Sequence, residues 1–368
     1  MVDSGFWRGR RVLITGHTGF KGSWLALWLE RLGAEVHGFG SRSAPGDATD
    51  TLHARARVAE GLAAFHPGDV RDPAAAVAAV RRARPEVVFH LASVANVQRS
   101  LRDPTETYSI NVMGAVHVLD AIRQAGEDVR AVVSVTTDKV YANHDWEWPY
   151  RESDALGGTD PYSSSKACQE LVTATFRDSL YVDRDIRVAT TRAGNVVGGG
   201  DWVQDRLVPD LVRAGLAGRG IQVRAPDAVR PWQHVLSPLG GYLQLAEGLC
   251  GEDGAELATA WNFGPPDENR RSVRWVADYV AERWPTPIER HFGTGEALEV
   301  AVTLLDSSRA RTRLGWAPPW DLPASLDATV DWYVRVQDGE DARELCEEQI
   351  AAQGDPGCER PSLSPVFA

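Results

Sequence analysis

An α/β fold is predicted: a doubly wound parallel sheet with a smaller, mixed C-terminal domain. Three observations predict it. Apolar runs of strand length alternate with helical patterns six times before the pattern breaks up beyond Gly198. The first run ends in a glycine turn that opens a helix, the context that makes a glycine motif a dinucleotide site. Later runs end in clusters of polar residues, where open α/β sheets place their ligands. The boundaries expected are 1–197 for the dinucleotide-binding domain and 198–345 for a substrate domain with segments returning to the first. A tail follows over 346–368.

The first strand is Arg11-Val12-Leu13-Ile14-Thr15, followed by Gly16-His17-Thr18-Gly19-Phe20-Lys21-Gly22. Trp24, Leu25, Leu27, Trp28, Leu29 and Leu32 then recur at helical spacing up to Gly33. The glycines permit a tight turn and close backbone approach, and the helix N-terminus would face a pyrophosphate. This is Rossmann-type architecture. The second strand, Glu35 to Phe39, is followed by Gly40-Ser41-Arg42 where an Asp or Glu for the NAD ribose is usual. Arg42 admits two readings, a partner for a 2′-phosphate or a solvated loop charge.

The third strand ends at Asp69-Val70, with Asp69 placed either to accept from an adenine amino group or to cap a helix. An Ala-rich helix runs from Pro73 to Arg82. Val87 to His90 forms the fourth strand, and Leu91 and Ala92 lead into a loop on the nicotinamide side. A long helix covers Thr105 to Gln124 with Asn111 inside it. Val132 to Thr136 is a buried strand ending in Thr137-Asp138-Lys139-Val140-Tyr141, and Asp160-Pro161 opens a helix carrying Tyr162 and Lys166. Four residues apart, Tyr162 and Lys166 share a helix face, so the ammonium is expected to lower the tyrosine pKa, and Thr137 can offer a hydroxyl to the same oxygen. The sixth strand, Ile186 to Thr191, ends in a run from Arg192 to Trp202 that contains Asn195. Arg206, Arg224 and Arg230 then fall in Pro-containing loops, suited either to a diphosphate or to surface ion pairs.

The composition excludes several classes. A net charge of −12 argues against a nucleic-acid surface, and no apolar stretch reaches bilayer length. The four cysteines lack metal or redox spacing, so no metal is expected. Met1 to Arg11 has no apolar signal region, which suggests a cytoplasmic location. The tryptophans suit either a sugar pocket or core packing.

Gly16-His17-Thr18-Gly19-Phe20-Lys21-Gly22, Thr137-Asp138-Lys139, Tyr150-Arg151-Glu152, the run from Leu156 to Tyr162, the Arg192–Trp202 run and Arg230 to Val235 together resemble the extended short-chain dehydrogenase/reductases. Within that superfamily the chain is most similar to the CDP-glucose 4,6-dehydratase family. The resemblance implies NAD as cofactor, a nucleotide-diphosphate sugar as substrate and a homodimer. It implies that Tyr162, with Lys166 and Thr137, takes the proton of the sugar 4-hydroxyl, that Asp138 protonates the departing 6-hydroxyl, and that Lys139 stands where relatives carry the C5 base. Lys166 is the candidate cation to depress the Lys139 pKa. It places Gly16, His17, Thr18, Gly19, Phe20, Lys21 and Gly22 on the cofactor, with His17 and Lys21 near the adenosine phosphates and ribose. Asp69, Val70, Leu91 and Ala92 join them there, while Asn195, Arg206 and Arg230 are assigned to the substrate. A 4-epimerase or 4-keto reductase needs no acid/base pair after Thr137, and a non-catalytic NAD sensor would not need Tyr162 and Lys166. The loop Ser93 to Gln98 departs from the family pattern, so the hexose accepted need not be plain glucose.

Overall fold

The computed structural model describes residues 1–41, 51–293 and 302–353. Arg42 and Cys358 lie outside the described residues. Seven parallel strands form the central sheet: β1 (Arg11–Thr15), β2 (Glu35–Gly40), β3 (Ala64–Pro67), β4 (Val87–His90), β5 (Ala131–Val135), β6 (Arg187–Ala193) and β7 (Ala260–Phe263). Their order is β7-β6-β5-β4-β1-β2-β3, so the winding reverses between β1 and β4. In such a sheet the crevice at the carboxyl ends of these two strands receives the ligand.

β1, β4 and β5 are almost wholly apolar because helices cover both faces of the sheet. One layer comprises α1 (Phe20–Arg31), which buries Trp24, Leu25 and Trp28 in the larger core cluster. The other includes α2 (Pro73–Ala83) and α3 (Gly114–Ala125), whose Val80, Leu119 and Ile122 pack with Val88 and Val132. Trp7, Trp24, Trp261 and Trp332 are fully buried, so the tryptophans serve packing first.

The predicted helix over 105–124 is real but interrupted. Helical turns at Pro104–Tyr108 pass through a π-turn, Ser109–Met113, before α3 begins at Gly114. The extra residue turns Asn111 inward, as π-turns at functional sites often do. Asn111 is buried, accepting from the Val94 N–H at 2.7 Å and donating to the Val94 carbonyl and to Ser165 Oγ. It pins the loop after β4 to the helix that carries Tyr162 and Lys166, which is α4 (Pro161–Thr175).

Beyond β6 the chain leaves the sheet, with α5 (Leu207–Leu216) and α6 (Leu236–Leu249), and returns as β7. That seventh strand is absent from the sequence reading, which counts six. It is only four residues long and carries Asn262, whose amide donates to the Tyr150 and Asp306 carbonyls. α7 (Val273–Arg283) and α8 (Leu322–Gln337) follow. Part of the predicted tail is not a tail: α9 (Ala342–Ala352) buries Leu345, Cys346 and Ile350, while Arg343 bonds Glu30 on α1. Its charged residues are those left facing outward and pairing. No helix among the described residues is long and apolar enough to cross a membrane.

Candidate active site

Gly16 has φ +74°, and a Cβ there would stand 2.7 Å from the Ala92 amide nitrogen. Gly22 has no room either: a Cβ would lie 2.2 Å from the Gly16 carbonyl. The turn therefore closes tightly on the Leu91-Ala92 loop, and both amides of that loop donate to Thr15 Oγ1. Gly19 begins α1 with no side-chain cap, leaving first-turn N–H groups facing the crevice. Such a turn fits the pyrophosphate of a dinucleotide. His17 is buried beside the His53 and Phe65 rings, and it fills the space a Cβ on Gly38 would need. Burial and the neighbouring His53 hold its pKa down to about 4. Asp69 caps no helix, since Asp72 does that for α2. Its carboxylate instead chelates Arg71, whose hydrogen bond holds its pKa below the usual carboxylate range.

β5 delivers the next group. Thr137 caps a single 3-10 turn, Asp138–Val140, through its hydroxyl, which also donates to Asp138 Oδ1 at 2.9 Å. Asp138 is buried, and Gly194 makes room for it: a Cβ at 194 would lie 3.0 Å from Oδ2 and would strike Pro231. The turn is thus closed in by β6 and by the short strand Val229–Pro231 that carries Arg230. Arg230 is buried there, and Asn195 accepts from the Gln233 N–H through its carbonyl. Lys139 is partly exposed at the same turn.

α4 brings Tyr162 and Lys166 to the same end of the sheet. Asp160 caps the helix by accepting from the Ser163 N–H and hydroxyl, and Ser100 Oγ receives the Tyr162 N–H. Lys166 is buried, donating to the Val135 carbonyl at 2.9 Å and to Gln169 Oε1 at 2.8 Å. Burial and the facing Lys21 ammonium bring its pKa down to about 7. The expected lowering of the Tyr162 pKa is not what the residues alone produce. Desolvation pushes the phenol up to about 12, against the Thr137 hydrogen bond and Arg206, which both favour the phenolate. The reason is burial of the phenol, which the Lys166 ammonium, engaged by the Val135 carbonyl and Gln169 and itself drawn down by burial, does not offset.

The Lys21 side chain extends from the cofactor turn toward the surroundings of Tyr162. Its ammonium sits over the Tyr242 ring, 5.9 Å from the centroid, and senses Arg206, Asp138 and Lys166. Burial and Arg206 lower its pKa to about 8. The cation facing Lys166 is therefore Lys21, where the sequence suggests Lys139. Arg206 bonds Asp201 Oδ2 and the Ala95 carbonyl, with its charge near Tyr162. It joins the divergent loop after β4 to the substrate segment, and Asn96 reinforces the join by donating to the Gln204 carbonyl. Gln169 and Glu170 escape the sequence reading, although their spacing of three and four from Lys166 marks them as neighbours on its helix face.

Lys166 and Lys21 both have folded pKa values below the ordinary 10.5. Between the folded and unfolded values the unfolded chain binds more protons, so stability rises with pH from about 7 to about 10. Lys166→Met should make that rise smaller, as read by thermal melts across the window. An unchanged slope would mean that Lys166 is not desolvated.

A Rossmann-type sheet with a glycine turn at β1, a Tyr-x-x-x-Lys helix and a hydroxyl at the end of β5 defines an extended short-chain dehydrogenase/reductase. The family model described as GDP-mannose 4,6 dehydratase matches residues 13–243, and the chain belongs to that family. Among curated relatives, the CDP-glucose 4,6-dehydratase of Salmonella typhimurium is 43% identical over 347 residues, covering 93% of this chain and 95% of that one. A dTDP-glucose 4,6-dehydratase of Xanthomonas campestris is 25% identical over 88% of this chain and 93% of its own. Among solved structures, the UDP-glucose 4-epimerase of Thermus thermophilus in complex with NAD superposes with a TM-score of 0.75 at 25% identity, covering 88% of this chain and 99% of that one.

Proposed function

We propose that the chain is an NAD-dependent nucleotide-sugar 4,6-dehydratase acting on CDP-glucose, a hydro-lyase that forms the 4-keto-6-deoxy sugar. The observation that carries this reading is the Asp138–Lys139 turn, which adds an acid and a second amine beside Tyr162, Lys166 and Thr137. Held by the Gly16–Gly22 turn, a bound NAD would supply the hydride acceptor for C4 and the hydride donor for C6. Tyr162 takes the 4-hydroxyl proton, helped by the Thr137 hydroxyl. The C4 ketone acidifies the C5 proton, which Lys139 removes, and Asp138 protonates the 6-hydroxyl so that it leaves as water. The proton then returns to C5, and the reaction closes without net oxidation. Gly16 to Gly22, Asp69, Val70, Leu91 and Ala92 line the cofactor, while Asn195, Arg206 and Arg230 meet the substrate. The segments of 198–345 that leave the sheet supply nucleotide-sugar recognition.

Two further readings support one another. Exposed Tyr108, Met113 and Leu171 lie on the 104–125 helical stretch and on α4, and Leu101 lies on the short helix before them. A second copy laying these helices on its own would cover them in a homodimer. A cytoplasmic location suits a substrate made from nucleotide triphosphates.

The test is to incubate the purified protein with CDP-glucose and, separately, dTDP-glucose, and to assay for a 4-keto-6-deoxy product. Turnover of CDP-glucose in preference to dTDP-glucose is expected. A 4-epimer instead of a keto sugar would favour the epimerase reading, and no product from either would sink the dehydratase one.

A further inference from the structure

Behind the site lies a buried polar web that reaches neither the cofactor turn nor Lys139. Glu170, one helical turn beyond Lys166, accepts four hydrogen bonds: from Thr136 Oγ1 and Thr190 Oγ1 at 2.6 Å each, and from Arg192 Nε and Nη2 at 2.9 Å each. The third guanidinium nitrogen of Arg192 is used as well, with Nη1 donating to Tyr141 OH at 2.9 Å and to the Glu152 carbonyl at 3.2 Å. Tyr141 OH in turn donates to Asn262 Oδ1 at 2.7 Å. Thr136, Tyr141, Glu170, Thr190, Arg192 and Asn262 are all buried. Burial would raise the Glu170 pKa, but the Arg192 fork holds it below the usual carboxylate range, so the pair is ionic.

Buried ion pairs seldom stabilise a fold more than apolar residues of the same volume would. The placement of this one suggests another use. Thr136 immediately precedes Thr137-Asp138-Lys139 and Tyr141 closely follows them, so the web grips the catalytic turn on both flanks. Its anchors are α4 and β6, and Glu170 shares the α4 face of Lys166. Tyr162 and Lys166 are held by other bonds, the Tyr162 N–H to Ser100 and the Lys166 ammonium to Val135 and Gln169, while Asp160 caps their helix through Ser163.

We propose that the Arg192–Glu170 pair, with Thr136 and Tyr141, is a positioning device that fixes the Asp138–Lys139 turn relative to the Tyr162/Lys166 helix and so governs water elimination more than C4 oxidation. None of the four is a catalytic residue; they act through Asp138 and Lys139. The proposal rests on the dehydratase reading. Small displacements of an acid or base from its reacting atom cost up to about 100-fold in rate, so a loosened turn should slow one step selectively.

Tyr141→Phe and Thr136→Val delete one hydroxyl each at nearly constant volume, and Arg192→Lys keeps the charge but loses the fork. Single-turnover mixing of each holoenzyme with CDP-glucose would follow reduced-nicotinamide absorbance, which rises with C4 oxidation and falls after elimination. The decay should slow about tenfold in Tyr141→Phe and Thr136→Val and more in Arg192→Lys, with the rise within about threefold and KM nearly constant. A merely structural role would slow rise and decay together, in line with the folded fraction, and would overturn the proposal, as would no change in either. Should Arg192→Lys fail to fold, the two hydroxyl variants decide. An unsubstituted protein that gives no keto product at all would defeat the dehydratase reading instead, which separates the two failures.

Discussion

Tyr162→Phe should abolish both the transient reduced-nicotinamide signal and the keto product, lowering kcat by about 1,000-fold or more. General acid–base groups contribute about 10² to 10⁴ in rate, and in the proposed reaction this phenol carries the first proton transfer, on which every later step depends. The volume of the site is kept, and the Thr137 hydroxyl remains donated to Asp138 Oδ1, so the turn should persist. Burial pushes the phenol up to about 12 and Lys166 down to about 7 in the free protein, so the phenolate that takes the 4-hydroxyl proton would have to be favoured by the positive charge a bound NAD would bring. Lys166, drawn down by burial and by Lys21, offers the phenolate less charge than the sequence leads one to expect. Lys166→Met should therefore cost less than Tyr162→Phe in the oxidation step. A Tyr162→Phe variant that still oxidises C4 at a tenth of the original rate would take the base role away from this residue.

The sheet and its glycine turn are legible in the sequence because buried parallel strands are continuous apolar runs, and Gly16 and Gly22 sit where no Cβ fits. Asp138, Tyr162 and Lys166 could be read because strand ends and helix spacing alone bring them to one end of the sheet. Lys21 could not. Its backbone belongs to the cofactor turn, but the side chain runs from the first turn of α1 toward Tyr242 and Arg206, a direction set by tertiary packing. Asn111 was hidden for a related reason: no Pro or Gly within 105–113 announces the π-turn that rotates it inward. β7 was missed because Asn262 breaks its apolar run, and that same asparagine anchors Tyr141. α9 was taken for tail because its buried residues, Leu345, Cys346 and Ile350, are few among charges. What sequence periodicity misses here is short, polar and stabilised by distant partners.

Asp138→Asn should divide the reaction at its midpoint. The amide fills the same buried volume beside Gly194 and can still accept from the Thr137 hydroxyl, so the Asp138–Val140 turn should survive. What it cannot do is give a proton to a departing hydroxyl, because an amide is no acid at neutral pH. Tyr162, Lys166 and Thr137 are untouched, so C4 oxidation should proceed and reduced nicotinamide should accumulate on mixing with CDP-glucose. Elimination should fall by about 10² to 10⁴, the range for removing one general acid. Lys139→Met offers the contrast. It too should accumulate reduced nicotinamide, but solvent deuterium should fail to enter C5, whereas in Asp138→Asn the C5 proton can still exchange through Lys139. Full-rate dehydration by Asp138→Asn would remove it as the acid. Exchange at C5 undiminished in Lys139→Met would move the base elsewhere, with Lys21, a buried amine that interacts with Asp138 and has its pKa drawn down to about 8, the next to substitute.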